Sequence, residues 1–157
     1  MTPMKRVCRT VLLVLVLGAG ATPAYAAADP RPVDPFVPGI HEDPALAAAW
    51  QDWQARDVDD YVVSVRLSCF CPPSPVVRTV VRDDAIVKVT RGERRLRAGR
   101  GWSMDGLFLM LREAMADADS VDVEFTRRGV PKSITVDPER TATDEETYYA
   151  VTLSRLG

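Results

Sequence analysis

The sequence predicts an α+β domain: two helix-strand-strand-strand units forming one antiparallel sheet, with the helices packed on one face. Three observations carry this. Apolar residues recur at helical spacing in two stretches, Leu46, Trp50, Trp53 and Leu107, Leu111, Ala114, Ala118. Period-two alternation follows each of them. Each half also breaks after its first strand at a proline turn, Cys71-Pro72-Pro73 in one and Gly129-Val130-Pro131 in the other.

The chain opens with Lys5, Arg6 and Arg9, then an apolar run over 11–21, then Ala24-Tyr25-Ala26. A basic start, a short apolar run and an A-x-A site read as a secretory signal peptide over 1–26, cleaved after Ala26. The run is far shorter than the roughly 20 residues of a bilayer span, so no membrane span is expected in the mature form. The protein is therefore expected to be secreted, to the extracellular space or the cell envelope. Residues 27–43 hold Pro30, Pro32, Pro35 and Pro38 with little apolar periodicity, which reads as a disordered tether. The remaining 44–157 read as one domain.

Asp43-Pro44 starts the first helix, because Asp caps well and Pro suits the first helical position. Tyr61, Val63, Val65, Leu67, Cys69 and Cys71 share one strand face, and the prolines beyond stop that strand. Residues 76–82 and 85–90 form a hairpin around Asp83-Asp84. Residues 91–101 read as a basic loop, and Ser103 caps the second helix. Val121, Val123 and Phe125 alternate as a strand. Gly129-Val130-Pro131 turns the chain into a strand with Ile134 and Val136. An acidic loop over 137–146 precedes a last strand with Tyr149, Val151 and Leu153 on one face.

The combination Trp50-x-x-Trp53, Tyr61, Cys69-x-Cys71-Pro72, Gly129-x-Pro131-x-x-Ile134-x-x-Asp137 and Asp144-Glu145-Glu146 resembles a family of small secreted bacterial proteins known as a domain of unknown function. The resemblance spans about residues 46–155. It implies export and an α+β fold, and implies no activity. Such proteins often carry a glycine hairpin after the second strand, where this chain has Asp83-Asp84-Ala85. At the level of architecture alone, the doubled unit is similar to the bacterial β-lactamase-inhibitory proteins.

Removing the leader takes away three of the 20 Lys and Arg residues and none of the 22 acids, so the net charge moves from −2 to −5. That excludes the dominant basic face of a nucleic-acid binder. The single histidine, His41, lies in the proline-rich stretch, so no Ser-His-Asp or Cys-His pair is expected in the domain. Asp57, Asp59, Asp60, Asp137, Asp144, Glu145 and Glu146 all fall in charged stretches with no apolar frame to raise one carboxyl. No catalytic residue is assigned. Cys69 and Cys71 supply only two of the four ligands that zinc takes, so no metal and no cofactor are expected.

Two sites remain. Cys69 and Cys71 are the only cysteines beyond the leader, and an oxidising compartment favours a disulfide between them. Residues two apart in a strand lie roughly 6.6 Å apart at Cα, so the chain must bend at Phe70. Two free thiols are the alternative. Arg91, Arg94, Arg95, Arg97 and Arg100 form a candidate anion patch, leading to the N-terminus of the second helix. Its rival is a solvated loop. Trp50 and Trp53 read as core, and Trp102 as a half-exposed residue of the basic loop. The sequence favours an exported, non-enzymatic binding or inhibitor-like module for an extracellular protein or an anionic ligand. A thiol-redox protein built on the C-x-C pair is the alternative, followed by a carboxylate hydrolase.

Overall fold

The computed structural model describes residues 30–142 and 144–156. The signal-peptide reading lies outside them. Among the described residues, eight strands and two helices appear, in the chain order β1 (Arg31–Pro32), α1 (Pro44–Gln54), β2 (Tyr61–Cys69), β3 (Val77–Arg82), β4 (Ala85–Arg91), β5 (Arg94–Leu96), α2 (Met104–Asp117), β6 (Ser120–Phe125), β7 (Pro131–Asp137) and β8 (Thr147–Arg155). A 3-10 turn, Ala98–Arg100, precedes α2. The protein is a mixed but mostly-sheet fold, with one open antiparallel sheet ordered β1-β4-β3-β2-β8-β7-β6. Each three-strand unit is a meander. They join because β2 of the first unit pairs with β8 of the second, from Tyr61↔Arg155 to Cys69↔Thr147.

Local chemistry accounts for the boundaries. The Asp43 carboxylate accepts from the N–H groups of Ala45 and Leu46, and Pro44 fills the first position of α1. The Ser103 hydroxyl accepts from Gly106 N–H at the start of α2. The β3–β4 hairpin turns tightly without glycine, because Asp83 and Asp84 both take left-handed φ, 47° and 54°. Asp is one of the few residues that tolerates this, and a type I′ hairpin needs it at both positions. Gly129 has φ 72°, and a Cβ there would run into the Ala49 carbonyl and lie 2.7 Å from Trp53 N. The G-x-P turn is thus pressed against α1, and only glycine fits.

The core is one cluster drawn from both helices and the sheet. It includes Leu46 and Trp53 of α1, Leu107, Phe108 and Leu111 of α2, and Tyr61, Val63, Val81, Val89, Ile134 and Val151 of the strands. Trp50 is only half-buried at its edge.

Two expectations fail. The stretch over 30–43 is no spacer. Arg31 and Pro32 pair with Ile86 and Ala85. Phe36 is 1% exposed, with its ring centroid 5.4 Å from that of Phe108. The cause is one aromatic residue with a site to fill; proline keeps the backbone extended but does not keep Phe36 in water. Nor is the stretch over 91–101 a plain loop. Gly92, φ 57°, turns the chain so that Arg94–Leu96 pairs back on β4. The outer edge of β4 is therefore covered at one end by β1 and at the other by β5, which shields its backbone from stray pairing. Among the described residues no helix is long and apolar enough to cross a membrane.

Candidate functional site

An open cleft of about 380 Å³ lies where the sheet loses a strand. β3 begins only at Val77, while β2 and β8 run on to Cys69 and Thr147. The row Val65, Val77 and Arg91 lies side by side across β2, β3 and β4. Beyond it sits the cross-strand pair Leu67 and Tyr149. Val65, Leu67 and Val77 floor the cleft, and Ser74 and Pro75 form one rim.

The opposite wall is the segment 99–102. Its placement follows from a close approach. A Cβ on Gly101 would lie 2.5 Å from Val89 Cγ2 and 2.8 Å from Thr79 Oγ1. The buried Thr79 hydroxyl accepts from Trp102 N–H at 3.0 Å. The Trp102 ring then stands edge-on to Tyr149, with centroids 6.3 Å apart at 78°. Burial pushes the Tyr149 hydroxyl pKa up, so it stays a neutral hydrogen-bonding group.

Of the five arginines singled out in the sequence, Arg91 and Arg100 line this cleft. Arg94 sits directly opposite Arg91 in the β4–β5 register. Arg95 pairs with Thr90, one residue along, so it points to the other face of the sheet. Arg97 is exposed and lines no part of the cleft. Among the described residues, neither Arg91, Arg94 nor Arg100 has a carboxylate partner. Arg91 and Arg94 are thus like charges facing each other across strands.

At the N-terminus of α2, expected to add to the patch, two N–H groups already have partners within the fold. Met104 N–H donates to the Tyr61 hydroxyl at 3.2 Å and Gly106 N–H donates to Ser103. Asp105 places an acid in the first turn and accepts from Phe36 N–H at 2.9 Å.

At the end of β2 the sulfurs of Cys69 and Cys71 are bonded to each other, with Cα atoms 5.1 Å apart. The bend falls at Phe70: Cys71 N–H donates to Cys69 O at 2.7 Å, a three-residue turn of the kind that ends strands. His41 is exposed and lies in another depression, with Glu42 and Arg112. Asp57, Asp59, Asp60, Asp83 and Asp84 are all exposed. Desolvation first, and then the neighbouring charges of Asp57, Asp84, Asp60 and Asp83, raise the Asp59 carboxyl above its ordinary value. Among the described residues no three His, Cys, Asp or Glu side chains stand together as a metal site.

The sequence marked the arginines and Trp102 but not the floor. Val65, Leu67, Val77 and Tyr149 come from three strands whose pairing is long-range. The turn residue Gly92 was the available signal for β5, since glycine opens a two-residue hairpin of the II′ kind.

No curated protein and no solved structure matches this chain. A family described as "Family of unknown function (DUF6174)" matches residues 45–155, nearly the stretch over which the sequence resembled a domain of unknown function. On that match the chain belongs to DUF6174, a family of unknown function.

Proposed function

We propose that this is an exported, non-enzymatic binding module whose cleft holds a carboxylate-bearing segment of an extracellular protein. The single observation that carries the reading is the placement of unpaired Arg91 and Arg100 on the lip of an apolar, aromatic-walled cleft. Arginine's planar fork matches a carboxylate bidentately, and Trp, Tyr and Arg are the residues that dominate protein interfaces. Val65, Leu67 and Val77 offer a floor for an apolar side chain beside that carboxylate. The leader over 1–26 supplies export. In this reading both helices cover the sheet face that carries Tyr61, Val63 and Val65. The support is that Trp53 of α1 packs edge-on against Tyr61, and Met104 of α2 bonds its hydroxyl. The cleft then opens where that cover ends.

The test uses the full chain and an extended peptide alternating Asp with Leu and Phe, beside its Asn counterpart. Retention of the Asp peptide should exceed that of the Asn peptide and fall as salt rises. Replacing Arg91 and Arg100 together with Ala should weaken it at least about tenfold, the scale of hydrogen bonds to charged groups. Replacing Arg95 and Arg97 together should leave it unchanged. Equal retention by the two double variants would overturn the reading.

A further inference from the structure

We propose that the Cys69–Cys71 disulfide is a thiol-exchange site, at which a protein dithiol is oxidised. The bond is poorly placed to be a staple. It joins residues only two apart, and so short a loop restrains an unfolded chain little. Cys69 is already held by its pairing with Thr147, at the end of the β2–β8 ladder. Nothing remote is tied down, because Phe70 to Pro73 are all exposed.

The same surroundings give access and direction. Cys71 is exposed while Cys69 is half-buried, so an incoming thiolate meets Cys71 first. Phe70, between them, is 82% exposed. A large apolar ring held outward beside an accessible disulfide offers a partner chain a contact that small thiols cannot use. Pro72 and Pro73 follow without N–H groups, leaving the backbone beside the bond unpaired with any strand.

The step balances without an outside cofactor. A thiolate of the partner dithiol attacks Cys71 Sγ; the Cys69–Cys71 bond breaks, and Cys69 leaves as a thiolate that takes up a proton. The partner's second thiol loses its proton, and its sulfur attacks the partner sulfur of the mixed disulfide. The partner disulfide forms and Cys71 is released as a thiolate. Two electrons pass from the partner dithiol to the C-x-C pair. This inference does not rest on the anion-binding reading: the arginines take no part in it.

The experiment uses the full chain carrying Cys8→Ser, so that Cys69 and Cys71 are its only cysteines. The oxidised protein is mixed with a peptide bearing two thiols, and with reduced glutathione, in the absence of denaturant. The reaction is quenched by alkylation and read by intact mass. Both reagents should reduce the bond in the native state within minutes. The further variant Cys69→Ser, mixed with oxidised glutathione, should trap one adduct on Cys71. Phe70→Ala should slow the peptide several-fold and leave glutathione unchanged. The reduced protein should stay folded, melting no more than roughly 10 °C lower. Reduction only under unfolding conditions, or unfolding of the reduced chain, would show a structural bridge and overturn the proposal. An equal effect of Phe70→Ala on both reagents would overturn the role given to that ring.

Discussion

Tyr61 joins three parts of the fold through one side chain. It starts β2, packs its ring edge-on against Trp53 at 5.3 Å, and accepts Met104 N–H at the first turn of α2. Burial, partly offset by that hydrogen bond and reinforced by the charges of Asp105 and Asp84, pushes its pKa up to about 12 from an ordinary 10. The neutral hydroxyl is what the fold prefers. Stability from this group is complete below pH 10 and is lost as pH rises through 12, by about 3 kcal/mol for the two-unit difference. Tyr61→Phe leaves a buried N–H without its acceptor and should cost about 1–3 kcal/mol at neutral pH. Denaturant unfolding at pH 8 and near pH 12 checks both: the variant should be weaker at pH 8 and should lose less on going alkaline. Gly129 shows what can and cannot be read at this scale. A glycine before x-Pro announces a turn. That the turn lies on the backbone of Ala49 and Trp53 is a contact 76–80 residues away along the chain, which no local pattern records.

At the scale of elements, the segment over 30–43 changes the domain's boundary. Phe36 lies between Trp50 and Phe108, and the Arg112 guanidinium stacks 4.2 Å over its ring. Arg112 also bonds Glu42 Oε2 from Nε at 2.8 Å and the Val37 carbonyl at 2.6 Å. One residue of α2 thus fastens the segment at three points. Burial raises the Glu42 carboxyl, but the Arg112 partner and the Gly39 N–H outweigh it and hold the carboxyl below its usual range. Phe36→Ala should therefore destabilise the protein by about 3–5 kcal/mol, measured by thermal or denaturant unfolding. An unchanged melting temperature would restore the spacer reading. The two helices and the six long strands were legible because periods of 3.6 and 2 are carried by many residues each. Phe36 and the three-residue β5 were not, since each rests on one or two residues with no period.

At the scale of the whole molecule, alternation reveals which face a residue takes but not which strand lies beside it. The order helix-strand-strand-strand, repeated, gave the two units. The seam between β2 and β8 joins residues as far apart as Tyr61 and Arg155, and only the folded chain shows it. The cleft sits on that seam. Its lining runs from Val65 to Tyr149, which is why the sequence exposed its charged lip and hid its apolar base. The arginine cluster was legible as composition. Its division into Arg91 and Arg100 at the cleft, Arg94 beside them, and Arg95 and Arg97 elsewhere depends on the β4–β5 register and on the 3-10 turn that follows it.

The cleft is the claim on which the functional account stands, and amide chemical-shift mapping tests it most directly. Titrating the isotope-labelled protein with the Asp-Leu-Phe peptide should shift the amides of Leu67, Arg91, residues 99–102 and Tyr149. The open β6 edge and the acidic end around Asp59 should stay still. Shifts confined to Arg95 and Arg97, or spread evenly over every basic residue, would contradict the account and leave only diffuse attraction to a solvated surface.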